Sequence, residues 1–202
     1  MPLVMITSRP LLSMESSFNF ELKRSGPLSD LLVNMGFTDF ISVCEYLKSI
    51  PYGRNTNRKE LASVIYENKG TCSTKHGFLK AIADEQKSCQ IKLCIGLYEM
   101  SESNTAGVGS VLSEYGLSYI PEAHVYLRFN NIIYDFTKPS HSIEGFSQNL
   151  LLEEFIEPYQ IVSYKEDLHK RYIKEWILEH AVPHDFKTIW NIREACIDAL
   201  SQ

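Results

Sequence analysis

Residues 122–137 read EAHVYLRFNNIIYDFT, and their reading decides the fold. Apolar and polar positions alternate on both sides of Asn130-Asn131, the pattern of two strands whose side chains point to opposite faces in turn. Asparagine tolerates positive φ, so the pair suits a two-residue hairpin turn. A turn centred there sets Tyr126 opposite Asp135 and His124 opposite Thr137. One face then carries Val125, Leu127, Phe129, Ile132, Tyr134 and Phe136, an apolar surface for a core. The other carries His124, Tyr126, Arg128, Ile133, Asp135 and Thr137. On it His124 and Asp135 are diagonal neighbours, roughly 7–8 Å apart at the backbone, a gap that side chains can close. A carboxylate on one imidazole nitrogen fixes the tautomer and leaves the other nitrogen to take a proton.

Upstream, residues 69–85 read KGTCSTKHGFLKAIADE. Helical spacing runs from near Cys72 to about Gln86, with Phe78, Leu79, Ile82 and Ala83 as the buried stripe. Cys72 thus opens a helix, and two readings stand side by side: a small core residue, or a nucleophile. Unpaired N–H groups and the dipole at a helix start stabilise negative charge and lower a thiol pKa. Gly70 permits a tight approach into that helix, and the Cys72 N–H is placed to help hold an oxyanion.

The KGTC helix start, the apolar stretch CQIKLCIGLYEM (89–100), EAHVYLRF and IIYDFT together resemble the transglutaminase-like superfamily over roughly residues 60–138. Members share a papain-like Cys-His-Asp arrangement in this chain order. The resemblance implies Cys72 as nucleophile, His124 as base and Asp135 as the group that orients it. It implies thiolate attack on an amide and a thioester intermediate, the chemistry of crosslinking acyl transferases, cysteine proteases, amidases and peptide deglycosylases. Arylamine acetyltransferases usually start this helix with Gly-Gly-x-Cys, whereas Gly70-Thr71 stands here. No acidic calcium loop is seen, and neither a cofactor nor a metal is expected. Residues 1–55 and 140–202 lie outside the resemblance.

The rest of the chain sets bounds. It has 202 residues, 44% hydrophobic and 22% charged, with net charge −5. No basic stripe marks a nucleic-acid partner. No run nears the roughly 18 apolar residues of a membrane span, and MPLVMITSRPLLSMESS lacks the basic start of a signal peptide. Five cysteines, an odd number, favour free thiols in a reducing compartment, so a cytoplasmic protein is expected. SFNFEL suggests a strand. SDLLVNMG, TDFISVCEYLKS and RKELASVIYENKG read as helices, the first two capped by Ser29 and Thr38. SESNTAGVGS reads as a loop, YQIVSY as a short strand, and about 165–180 and 184–200 as terminal helices. Helices before a mainly antiparallel sheet make the class α+β. One domain is expected over 1–202, with a core at about 55–165 and a helical extension at about 165–202.

Further assignments follow from context. Cys44, Cys89, Cys94 and Cys196 read as core thiols. His76, one turn after Cys72 on the same face, reads as a supporting or substrate-side residue. With Cys72, His124 and Asp135 it also makes a four-ligand zinc set, an alternative whose spacing matches no recognised zinc pattern. His141, His169, His180 and His184 read as surface. Arg54, in the loop PYGRNTN, and Tyr126 and Arg128, on the polar hairpin face, are candidates to touch substrate. Trp176 and Trp190 read as packing residues. The substrate expected is a peptide, protein or small amide. The competing class is a non-catalytic interaction domain that keeps the same fold.

Overall fold

The Asn130-Asn131 turn forms as the alternation predicts. Both asparagines take left-handed φ, 49° and 64°, the geometry that matches strand twist in a two-residue hairpin. Leu127, Arg128 and Phe129 pair with Tyr134, Ile133 and Ile132, the expected register. The ladder ends there, so Asp135 lies just past the last paired residue. In the computed structural model, which describes residues 18–139 and 143–200, this hairpin belongs to a four-stranded antiparallel sheet with helices on both faces. The architecture is α+β.

The strands are β1 (Lys92–Met100), β2 (Ile120–Phe129), β3 (Ile132–Tyr134) and β4 (Leu150–Ile156), in spatial order β3-β2-β1-β4. The helices are α1 (Pro27–Asn34), α2 (Phe40–Ser49), α3 (Ser63–Tyr66), α4 (Cys72–Glu85), α5 (Gly109–Glu114), α6 (Ile143–Ser147), α7 (Ser163–Glu179) and α8 (Phe186–Ala199). On one face Leu93, Ile95, Leu97, Val125 and Leu127 join Phe78, Leu79 and Ile82 of α4 in a core that extends to α1 and α2. On the other, Tyr98, Met100 and Tyr126 join Phe146 of α6, Ile173 and Trp176 of α7, and Ile189 and Ile192 of α8. Among the described residues no helix is long and apolar enough to cross a membrane.

Several local expectations are corrected. SFNFEL forms no strand in its described part; Glu21 makes a lone bridge to Asp39 while Phe18 and Leu22 are buried. Ser29 does not cap α1, which starts two residues earlier at Pro27. There the Glu85 carboxylate, from the far end of α4, accepts the N–H groups of Leu28 and Ser29 at 3.0 and 2.7 Å. Asp39, not Thr38, caps α2. RKELASVIYENKG holds only one helical turn, because Asn68 leaves the helix at φ 47°. SESNTAGVGS ends in the start of α5. The expected strand YQIVSY instead holds the end of a 3₁₀ turn, Pro158–Gln160, and the start of α7 at Ser163, and the true strand is β4 just before it. That strand is an edge with a register shift against β1, so it lacks clean alternation. Cys44, Cys94 and Cys196 are buried, but Cys89 is exposed. His169 is buried rather than on the surface. The expectations for residues 1–17 and His141 lie outside the described residues.

Candidate active site

The short β3 creates the site. Because it pairs only with Leu127–Phe129, the first half of β2 has no strand neighbour on that side. The first turn of α4 fills this place. Thr71 caps the helix in a reciprocal capping box with Thr74, which satisfies two first-turn donors. Gly70 precedes it with no room for a side chain: an added Cβ would lie 2.8 Å from Val64 and 2.9 Å from Lys75. A parallel bridge from Tyr52 to Gly70 lays the loop 52–55 alongside, as the loop's composition suggested for Arg54.

Cys72, His124 and Asp135 meet there. His124 Nε2 lies 2.8 Å from Asp135 Oδ2, and the imidazole also hydrogen-bonds the Cys72 thiol. With Nε2 committed to the carboxylate, Nδ1 is the nitrogen left for sulfur. The other Asp135 oxygen accepts from the Thr137 N–H at 2.8 Å and its hydroxyl at 2.5 Å, so the carboxylate is fixed on both sides. Burial alone would raise the Cys72 pKa, but the charges of Lys165 and then His124 outweigh it and bring the thiol down to about 5. Burial would likewise lower His124, yet Asp135 and the Cys72 thiolate hold it up at about 10. The favoured state is therefore a thiolate–imidazolium pair. Burial pushes Cys44, Cys94 and Cys196 the other way, upward.

His76 has a structural task. The Phe136 N–H donates to its Nε2 at 2.8 Å, so Nε2 carries no proton. Nδ1–H then donates to the Cys72 carbonyl at 2.9 Å. The ring is fully buried and burial pushes its pKa down to about 4. It pins the turn that carries Cys72 to the segment that carries Asp135, and both nitrogens are used. This removes it from the substrate side and from the zinc set, and among the described residues no cluster of three or more acidic, His or Cys side chains is placed to hold a metal. Lys75, also buried, makes a parallel tie: its Nζ donates to the carbonyls of Ile50 and Thr137 at 2.7 and 2.8 Å.

Two recesses open beside the sulfur. A cleft of about 540 Å³ is lined by Tyr52, Arg54, Lys165, Glu122, Trp190 and Arg193 among others. A smaller recess of about 60 Å³ has Tyr98, Met100, Ala123 and His124 in its wall. Cys72, Tyr52 and Glu122 line both. Glu122 is buried against Arg193 in a two-point ion pair, both contacts 2.6 Å; burial favours its neutral form, but Arg193 wins and holds the carboxyl down at about 2. Arg54 borders the cleft as expected, bound to Glu194 at 2.7 Å. Trp190, expected only to pack, is part of the cleft wall. Tyr126 and Arg128 are not: they line neither recess, and both bind Glu153, Arg128 at 2.8 Å.

Lys165, on the first turn of α7, was not marked by the sequence. Its Nζ lies 2.9 Å from Ser73 Oγ and 3.7 Å from Cys72 Sγ. The run YKEDLHKRYIKEW reads as a solvated helix, and nothing local ties it to a thiol 93 positions earlier. Comparison with protein-family models, curated proteins and solved structures finds no match.

Proposed function

We propose that this protein performs cysteine-dependent acyl chemistry on an amide through a thioester, on a transglutaminase-like, papain-like core. One observation carries the reading. The single thiol whose pKa is driven down among those with a shift lies in a cleft wall, hydrogen-bonded to a histidine that a fixed aspartate holds. Structural cysteines behave in the opposite way, like Cys44 and Cys94 here.

In this reading Cys72 Sγ attacks the amide carbon, and the first-turn N–H groups of α4 face the developing oxyanion. His124 gives its proton to the departing nitrogen, and a thioester remains. His124 then accepts a proton from the resolving nucleophile. Water makes the protein a hydrolase or protease, an amine makes it an acyl transferase, and the same three residues serve both. Asp135 keeps Nε2 occupied throughout, so the reactive nitrogen always points at sulfur. The substrate is a peptide, protein or small molecule bearing an amide. All five cysteines are free, which supports a reducing, cytoplasmic setting.

Iodoacetamide labelling followed by peptide mapping tests this. At pH 6 Cys72 is expected to react well ahead of the other four thiols, with a rate that rises through about pH 5 as the thiolate forms. Equal rates for all five thiols would remove the nucleophile and leave the reading of a non-catalytic interaction domain.

A further inference from the structure

Of the cations around the sulfur of Cys72, only His124 belongs to the His-Asp pair. From β2 come His124 and the Val125 N–H; from the loop, Tyr52; from β1, Tyr98; from its own helix, Lys75, whose ammonium is committed to two carbonyls. From α7 comes Lys165. Ser73 Oγ fixes its Nζ at 2.9 Å, within 3.7 Å of Sγ. Two neighbouring cleft cations are neutralised, Arg193 by Glu122 and Glu194 and Arg54 by Glu194, while Arg58 also lines the cleft. Among the described residues no carboxylate forms an ion pair with Lys165; its charge reaches the Glu122 carboxylate, which Arg193 already pairs, and the sulfur is the anion within its contact distance.

Resting on the reading of Cys72 as nucleophile, we propose that Lys165 is a further catalytic residue, an ammonium that holds the thiolate at rest and the oxyanion during turnover. When Sγ attacks, its lone pair forms the S–C bond and the carbonyl π pair moves onto oxygen. The negative charge leaves sulfur for an atom bonded to the same carbon, still beside Nζ. When the C–N bond breaks, the oxygen pair re-forms the carbonyl and the nitrogen takes the proton of His124. Lys165 transfers no proton and remains charged. His124 cannot do this alone, because it gives up its charge as the amine leaves. In the thioester both Sγ and His124 are neutral, and Lys165 waits for the oxyanion of the second attack.

The test compares wild type with Lys165→Gln and Lys165→Arg, each first checked for folding by circular dichroism. Iodoacetate and iodoacetamide differ in charge, so the ratio of their rates at Cys72 reports a cation beside the sulfur. Lys165→Gln should lower that ratio roughly five- to tenfold, the effect of one nearby unit charge, and Lys165→Arg should restore much of it. Acylation by p-nitrophenyl acetate at pH 9, with the thiolate formed in both proteins, should fall on the order of 10- to 100-fold in Lys165→Gln. An unchanged ratio and unchanged acylation, with wild-type Cys72 still the fastest thiol, overturn the proposal alone. A lower ratio with unchanged acylation overturns the oxyanion role. Wild-type Cys72 no faster than the other thiols overturns the underlying reading as well.

Discussion

His76 shows how one side chain can look like part of the chemistry and serve the architecture. Its Nε2 must accept from Phe136 and its Nδ1 must donate to Cys72, so only the neutral ring fits. A group whose folded pKa lies near 4, against an ordinary 6.5, binds its proton first in the unfolded chain as pH falls. Stability is therefore complete above about pH 6.5 and lost towards pH 4, a contribution of about 3 kcal/mol. Urea unfolding at pH 7 and pH 4.5 should show wild type losing about 2–3 kcal/mol more than His76→Gln across that window; equal losses would remove His76 as the titrating group. Cys72, His124 and Asp135 were legible because a helix start and a hairpin register are local patterns. The roles of His76, Lys75 and Lys165 were not, since each depends on which backbone or thiol the folded chain brings alongside.

At the scale of elements, the hairpin positions the carboxylate. Its turn needs left-handed backbone at two successive residues, and Asn131 sits at φ 64°. Asn131→Gly keeps that geometry and should change stability little. Asn131→Val places a β-branched side chain there and should cost about 1–2 kcal/mol, measured as the free-energy difference between the two variants in urea. A loss of similar size in both would mean that the turn conformation is not what the asparagine supplies. The hairpin, α4 and the two terminal helices could be read from periodicity. What could not be read is β4, whose edge position and register shift blur its alternation, and the cap of α1, whose Glu85 arrives from another helix.

For the whole molecule, the pair Glu122–Arg193 joins β2 to α8 across the floor of the cleft. Both side chains are largely shielded from solvent. Removing one partner of such a pair leaves a buried charge, so Arg193→Met should cost about 3–5 kcal/mol, and adding Glu122→Gln should recover part of the loss. Denaturant unfolding of the single and double variants measures both; a single variant as stable as wild type would contradict the buried pairing. The α+β class followed from the order of elements. Of the cleft only the loop near residue 52 was suggested, through Arg54; its other walls come from two helices beyond residue 160 that the sequence presents only as amphipathic. Cys72, His124 and Lys165 are also far apart along the chain. Translation makes Cys72 first, His124 later and Lys165 later still, and an unfolded chain holds neither His124 nor Lys165 beside the cysteine. On the proposed reading, the nascent chain carries Cys72 as an ordinary thiol, and its reactivity arises only once β2 and α7 pack beside it.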